Sequence, residues 1–257
     1  MITVLFIGDI VGNKGREAVK KLLPDLVSEF SVDLVIANGE NLAGGIGITR
    51  KTAEELLDSG VHLFTSGNHI WDKKEVFEFI DNVDWLIRPL NYPPGTPGRG
   101  FANLKVKGSN IVVFNLMGRV FMNGGDCPFR VADEFLQNCG EKIIILDIHA
   151  EATSEKLSLA YYLDGRVSLV VGTHTHVQTS DARILPNGTG YITDVGMTGG
   201  LGGVIGVKKD LFIKRFLTQM PVSFEAEEET PGLEGIIARI DENSGKCIYI
   251  EAIRKYL

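Results

Sequence analysis

The segment VGTHTHVQ, residues 171–178, sets His174 and His176 two positions apart, directly after the apolar run VSLV. The whole chain has five histidines, so a close pair at this point asks for a reason. Side chains two apart on a strand face the same side. Two imidazoles facing one spot at a strand's end suit a metal, for which imidazole is a common ligand. Two ligands do not hold an ion, and the rest must come from elsewhere in the chain.

Further candidates close other apolar, β-branched runs. Gly8-Asp9 ends TVLFIGD, Asn38-Gly39-Glu40 ends DLVIANGE with Asn41 next, Gly67-Asn68-His69 ends HLFTSGNH, and Asp147-Ile148-His149 ends KIIILDIH. Taken singly, each has an ordinary structural use. Asp9 would serve as a turn or cap, His149 as a hydrogen-bonded core residue, and the Asn-bearing segments as polar loops. Together they put carboxylate, carboxamide and imidazole at five strand ends, where open α/β sheets bind their ligands. Seven candidates (Asp9, Glu40, Asn41, Asn68, His149, His174 and His176) exceed what one tetrahedral site uses. Two ions roughly 3.5–4 Å apart, sharing a carboxylate, would use them all and form a hydrolytic clamp. Glu40 and Asn41 are neighbours and would point oppositely in a regular strand. Both can serve only if the chain turns there, as the following LAGGIG suggests.

The elements that must position these residues read as alternating strands and helices. REAVKKLLPDLVSEF carries Ala18, Val19, Leu22, Leu23, Leu26, Val27 and Phe30 at helical spacing, with Pro24 expected to kink or divide it. TAEELLDSG reads as a short helix with Thr52 and Glu55 as a capping box and Gly60 as its stop. Asp72 and Glu75 read as a second capping box before EVFEFI. The β-α-β-α-β order implies a largely parallel sheet covered by helices. Residues 88–100 form a Pro/Gly-rich loop, residues 196–206 a Gly-rich loop or rim, and IIARIDENSGKCIYIEAI a hairpin turning at Asn243-Ser244-Gly245. Gly8, Gly12 and Gly15 do not match GxGxxG, so a Rossmann nucleotide loop is discounted. With no internal repeat or linker, residues 1–257 read as a single domain.

Composition narrows the function classes. A net charge of −7 argues against a broad basic surface for nucleic acid, which leaves RNA as an unsupported partner. Three cysteines without a CxxC pair read as reduced thiols. The chain opens on a strand pattern rather than a signal peptide, and no apolar stretch approaches the ~20 residues of a bilayer span. A cytoplasmic location is expected, without membrane contact. Self-association is left open.

The motifs also carry a resemblance. GD at the first strand, GNH at the third, a later isolated His and GxHxH resemble the calcineurin-like metallophosphoesterase superfamily. More closely, GDIVGNKGR, NGEN, GNHIWD, DIHAEATSEK, GTHTHVQT and TDVGMTG resemble its YmdB-like branch, bacterial cytoplasmic phosphodiesterases that act on cyclic nucleotides. Two departures from the superfamily pattern, Asp9 followed by Ile10 and Val11, and Glu40 where a bridging Asp is usual, are features of that branch. The resemblance implies a four-layer αββα sandwich of two packed β-sheets flanked by helices. It implies one ion on Asp9, Glu40, Asn41 and His176, and another on Glu40, Asn68, His149 and His174, with Glu40 bridging.

Iron or manganese is expected from the resemblance, and imidazole with oxygen ligands also admits zinc. Hydroxide bridging the ions would attack phosphorus, and His69, next to ligand Asn68, would be the general acid. Asp147, Glu151 and Asp194 read either as holders of ligand imidazoles or as ordinary carboxylates. Arg16 and Arg130 read as phosphate contacts or, more simply, as surface ion pairs. The expected activity is therefore phosphodiester hydrolysis, with cyclic nucleotides such as 2′,3′-cAMP as substrates. The rival readings are a phosphomonoesterase or protein phosphatase on the same site, and a regulator that holds metal and nucleotide or RNA without turnover.

Overall fold

The computed structural model describes residues 1–223 and 225–257. Its first third runs β1 (Ile2–Ile7), β2 (Asp9–Ile10), α1 (Gly12–Phe30), β3 (Leu34–Asn38), α2 (Arg50–Leu57), β4 (Leu63–Thr65) and α3 (Val76–Phe79). The middle runs β5 (Phe101–Val106), β6 (Ser109–Met117), α4 (Pro128–Gln137), β7 (Ile143–His149), α5 (Thr153–Tyr162) and β8 (Leu169–Thr173). The remainder runs β9 (Arg183–Ile184), β10 (Gly190–Ile192), β11 (Met197–Gly200), α6 (Lys209–Thr218), β12 (Pro231–Ile240) and β13 (Cys247–Tyr256).

These strands make two sheets. One has the order β2-β11-β12-β1-β3-β4 with β13 paired to β12, and the other the order β5-β6-β7-β8-β10-β9. Helical crossovers keep β1, β3 and β4 parallel, and likewise β6, β7 and β8; β10 also runs parallel to β8, reached through β9 and loop. The expected hairpin is β12–β13, and β12 lies antiparallel to β1, which makes the first sheet mixed.

Alternation along the strands decides the layers. Ile2, Val4 and Phe6 of β1 face between the sheets, in one buried cluster with Ile111, Val113, Ile143, Ile145, Leu169 and Val171. Leu5 and Ile7 face the other way, onto Val19, Leu23 and Leu26 of α1 and Leu56 of α2. On the far side, Phe114, Leu116, Ile144 and Leu146 are covered by Leu159 and Ala160 of α5. Each such side chain contributes about 1.5–3 kcal/mol by leaving water. The result is helix, sheet, sheet, helix, the four-layer αββα sandwich.

Local details correct the sequence reading in three places. Pro24 sits inside α1 without dividing it. It is exposed, as is Lys20, whose carbonyl loses its helical partner and can meet water instead. The cap of α2 is Thr49, which shares a capping box with Thr52, while Glu55 pairs with Arg16 and Lys20. Neither Asp72 nor Glu75 caps α3 through its side chain: Asp72 turns to His69, and Glu75 accepts the Arg50 N–H. The Pro/Gly-rich run 88–100 carries no helix or strand, as expected. The Gly-rich run 196–206, by contrast, contributes β11 to the first sheet before it becomes loop.

The carboxyl ends of the two sheets meet. Asn38, the last residue of β3, reaches across to Asp147 and His149 of β7, each at 3.4 Å. All seven ligand candidates gather around this junction.

Candidate active site

The tightest grouping surrounds one nitrogen. His149 Nε2 lies 3.1 Å from Glu40 Oε1, 3.1 Å from Asn68 Oδ1 and 3.0 Å from His174 Nδ1. A ring nitrogen has one hydrogen or one lone pair and cannot satisfy three partners. Four donor atoms converging in this way is how ligands stand around a shared cation. Glu40, His149 and His174 are a group whose ligand atoms lie within 4.8 Å of one another. Backbone shape permits the approach. The ring of His149 rests on Gly67, where a Cβ would lie 2.1 Å from the imidazole.

Asp9, Asn41 and His176 form a looser second half. His176 Nε2 is 3.6 Å from Asp9 Oδ1 and 3.4 Å from Asn41 Nδ2, and Asn41 Nδ2 is 3.5 Å from Glu40 Oε1. Among the described residues, Asp9 Oδ1 is the one buried side-chain polar atom without a hydrogen-bond partner. An orphan carboxylate oxygen in a dry site calls for a positive charge. Asn41 turns its NH₂ inward; holding a cation would need the amide reversed, which exchanges its near-isosteric ends. The chain turns after β3, so neighbouring Glu40 and Asn41 both point into the site, as the run LAGGIG suggested.

The two histidines that opened the sequence reading converge for a different reason from strand alternation. β8 ends at Thr173, and His174 and His176 lie beyond it with φ of 100° and 61°. Two left-handed residues curl the chain so that both rings face the junction. Such conformations are costly for non-glycine residues and persist where surrounding contacts impose them. Here the contacts are identifiable. Asp194 accepts from Thr175 N and Oγ1, at 3.1 and 2.8 Å, and from the Gly196 N–H. Lys156, fully buried on α5, donates to both Asp194 and the Thr173 carbonyl at 2.7 Å. Asp9 accepts the His174 N–H at 3.1 Å.

Each site imidazole also has its other nitrogen occupied, which fixes its tautomer and aim. His149 Nδ1 meets Thr173 Oγ1 at 2.8 Å, and that hydroxyl donates to Asp147 at 2.7 Å. Asp147, which the sequence left open as a holder of a ligand imidazole or an ordinary carboxylate, thus reaches His149 through Thr173. Glu151 lies 3.3 Å from His174 Nε2. His176 Nδ1 donates to the Ile205 carbonyl at 3.2 Å. Thr173 and Lys156 were missed from sequence although both lie inside recognised motifs, because a hydroxyl and a lysine advertise no ligand chemistry. Arg16 takes the plainer of its two roles, donating to Glu55 and to the Leu42 carbonyl. Arg130 is exposed on α4.

Electrostatics point the same way. Burial opposes charge on Asp9 and Glu40, yet His176 beside the first and His149 beside the second hold both below the usual carboxylate range. Burial also works against a charged His149, but Glu40 and Asp9 outweigh it and push the imidazole up to about 9. Burial, then the His149 charge, push His174 down to about 4. Burial drives Asp147 up to about 7. The junction therefore keeps an extra proton on His149 to balance its carboxylates. A bound cation would supply the same charge, so the donor set fits a metal.

His69 stands apart from the ligand cluster. Its backbone N–H donates to Glu40 Oε2 at 2.9 Å, and its Nδ1 lies 2.6 Å from Asp72. The side chain is 34% exposed. With His176, it lines a cavity of about 430 Å³ whose other walls include Val11, Ile46, Ile205, Val207 and Phe212.

This fold is that of the calcineurin-like metallophosphoesterases. A 5′-nucleotidase precursor from Thermus thermophilus shares it, with a TM-score of 0.59 over 100% of this chain and 54% of its own, at 14% identity. Within that class the chain belongs to the YmdB-like family, whose model, described as YmdB-like protein, matches residues 5–253. The chain is 50% identical to a 2′,3′-cyclic-nucleotide 2′-phosphodiesterase of Bacillus subtilis (strain 168), across 97% of this chain and 96% of that protein. The crystal structure of a novel phosphatase from Mycoplasma pneumoniae matches with a TM-score of 0.95 at 37% identity, covering 99% of this chain and 93% of its own. Among the described residues, no helix is long and apolar enough to cross a membrane.

Proposed function

We propose that the protein is a dinuclear-metal phosphodiesterase that hydrolyses 2′,3′-cyclic nucleotides in the cytoplasm. The observation that carries this reading is the convergence of Glu40, Asn68 and His174 donor atoms on His149 Nε2. Asp9 with its orphan oxygen, Asn41 and His176 would hold a second ion beside it. Iron or manganese ions are the expected occupants, with zinc also compatible with the ligands. When bound, such ions supply an activated water and neutralise charge growing on the phosphoryl oxygens.

The chain's own contributions follow from its geometry. Thr173, Glu151 and the Ile205 carbonyl aim the three ligand imidazoles. Asp72 holds His69 Nδ1, which leaves Nε2 to carry the transferable proton. In the reaction, water oxygen bonds to phosphorus and releases a proton to solvent, the P–O2′ bond breaks, and the His69 proton goes to O2′, to be regained from solvent. The product is a nucleoside 3′-monophosphate.

The test is hydrolysis of 2′,3′-cAMP by metal-stripped protein, with and without added Mn²⁺. Metal-dependent release of 3′-AMP is expected; metal bound without turnover would sink the substrate assignment. His69→Ala should keep its metal and lose about 10²–10⁴-fold in rate, the usual worth of a positioned acid. Loss of metal from that variant would refute the acid role.

A further inference from the structure

The cavity beside His69 joins two kinds of surface. One side carries His69 and His176; the rest is Val11, Gly44, Gly45, Ile46, Ile205, Gly206, Val207, Phe212 and Ala226, with no charged side chain. At about 430 Å³ it falls within the roughly 300–1,000 Å³ of small-molecule sites, and its apolar walls with few polar groups are the usual lining of one. Apart from the Ile205 carbonyl, which holds His176 Nδ1, these walls are not needed by the ligand cluster or the proton donor.

We propose that this cavity is the nucleoside subsite, in which the base of the substrate lies against Phe212 and Ile46. The inference rests on the phosphodiesterase reading and adds the substrate's orientation to it. In a cyclic diester both ester oxygens belong to a single ribose, so the side that receives the proton is also the side that carries the nucleoside. If His69 protonates O2′, the ribose and base must extend past His69, and this cavity is what lies there. An aromatic ring is a sequence-tolerant platform, because every base has a π-face. The walls present no charged side chain to read base edges, so the subsite selects for a base without strongly choosing which.

Phe212 is supplied by α6, a helix with no buried residue, so its truncation leaves the two-sheet core untouched. The experiment compares kcat/KM for 2′,3′-cAMP with that for glycerol 1,2-cyclic phosphate, which keeps the five-membered cyclic diester and lacks a base. In Phe212→Ala the ratio should fall by roughly 10-fold, within the usual range for one base–aromatic stack. Ile46→Trp, which fills the cavity, should lower the ratio as well. Leu217→Ala, at an 80% exposed position of the same helix, should not. Equal ratios in Phe212→Ala, Ile46→Trp and wild type would overturn the subsite. Equilibrium dialysis with adenosine separates this failure from failure of the activity. Adenosine binding that is weakened in Phe212→Ala, without turnover of either diester, would keep the subsite and reject the phosphodiesterase reading. No weakening of adenosine binding would reject the subsite itself.

Discussion

The carboxyl ends of β3, β7 and β8 hold Asn38, Asp147, His149 and Thr173 fully buried, whereas α6 has no buried residue at all. The buried ends are locked by crossed hydrogen bonds: Asp147 alone accepts from Thr65, Thr173 and Asn38. α6 instead shows Ile213, Phe216 and Leu217 to solvent. Both regions border the same site. The proposed metal ligands must stand within a few tenths of an ångström of one geometry, and a locked set of strand ends beside them is what such a site needs. A wall that meets an apolar group by shape and stacking tolerates looser attachment.

This contrast can be broken most directly at Lys156. Removing it in Lys156→Met leaves Asp194 buried without its charge partner and should cost about 3–5 kcal/mol. Urea unfolding would measure the loss. A change under about 1 kcal/mol would mean that the buried end is less locked than the hydrogen bonds imply.

Next in size is Thr173→Val, which cuts the link from Asp147 to His149 while keeping the shape. Metal affinity should fall about 10–100-fold, read by titration of stripped protein. An unchanged affinity would make Thr173 a bystander.

A third prediction concerns pH. In metal-free protein His149 keeps its proton up to about 9, against 6.5 for the free side chain. The folded state then binds the extra proton, so this stabilisation is complete below pH 6.5 and is lost as pH rises through 9. Asp147, raised from 3.8 to about 7, works in the same direction over its lower range. Metal-free protein should therefore melt at a lower temperature at pH 9 than at pH 6.5, and bound Mn²⁺ should flatten that difference. A melting temperature that rises between these pH values would contradict the charge balance described for the junction.

The smallest effect belongs to the wall. Phe216→Ser, at a position 78% exposed, should change stability by no more than about 0.5 kcal/mol. A larger loss would show that α6 is anchored after all.

Much of the site was legible in the sequence because its residue types are rare and stand at strand ends. Five histidines in the chain, four of them closing apolar runs beside Asp, Glu and Asn, already suggested a metal centre. The packing of one sheet on the other was not legible in the periodicity. Buried strands read as continuous apolar runs whichever neighbour covers them, and the resemblance supplied that layer. Nor was the way His174 and His176 converge. Alternation suggested a shared strand face, but their left-handed backbone follows from Asp194 and Lys156, which are 18 or more residues away from them in the chain. Asp72 failed as a cap for a similar reason, since His69 offered it a charge-assisted partner at 2.6 Å.

By itself, then, the sequence determined the elements and the ligand chemistry, because side-chain periodicity and donor type are properties of short segments. Tertiary structure alone decided which nitrogen of each histidine faces inward, that Asp147 acts through Thr173, and that an apolar cavity opens beside His69. These depend on contacts between segments distant in the chain, and only the packing of one sheet against the other brings those segments together.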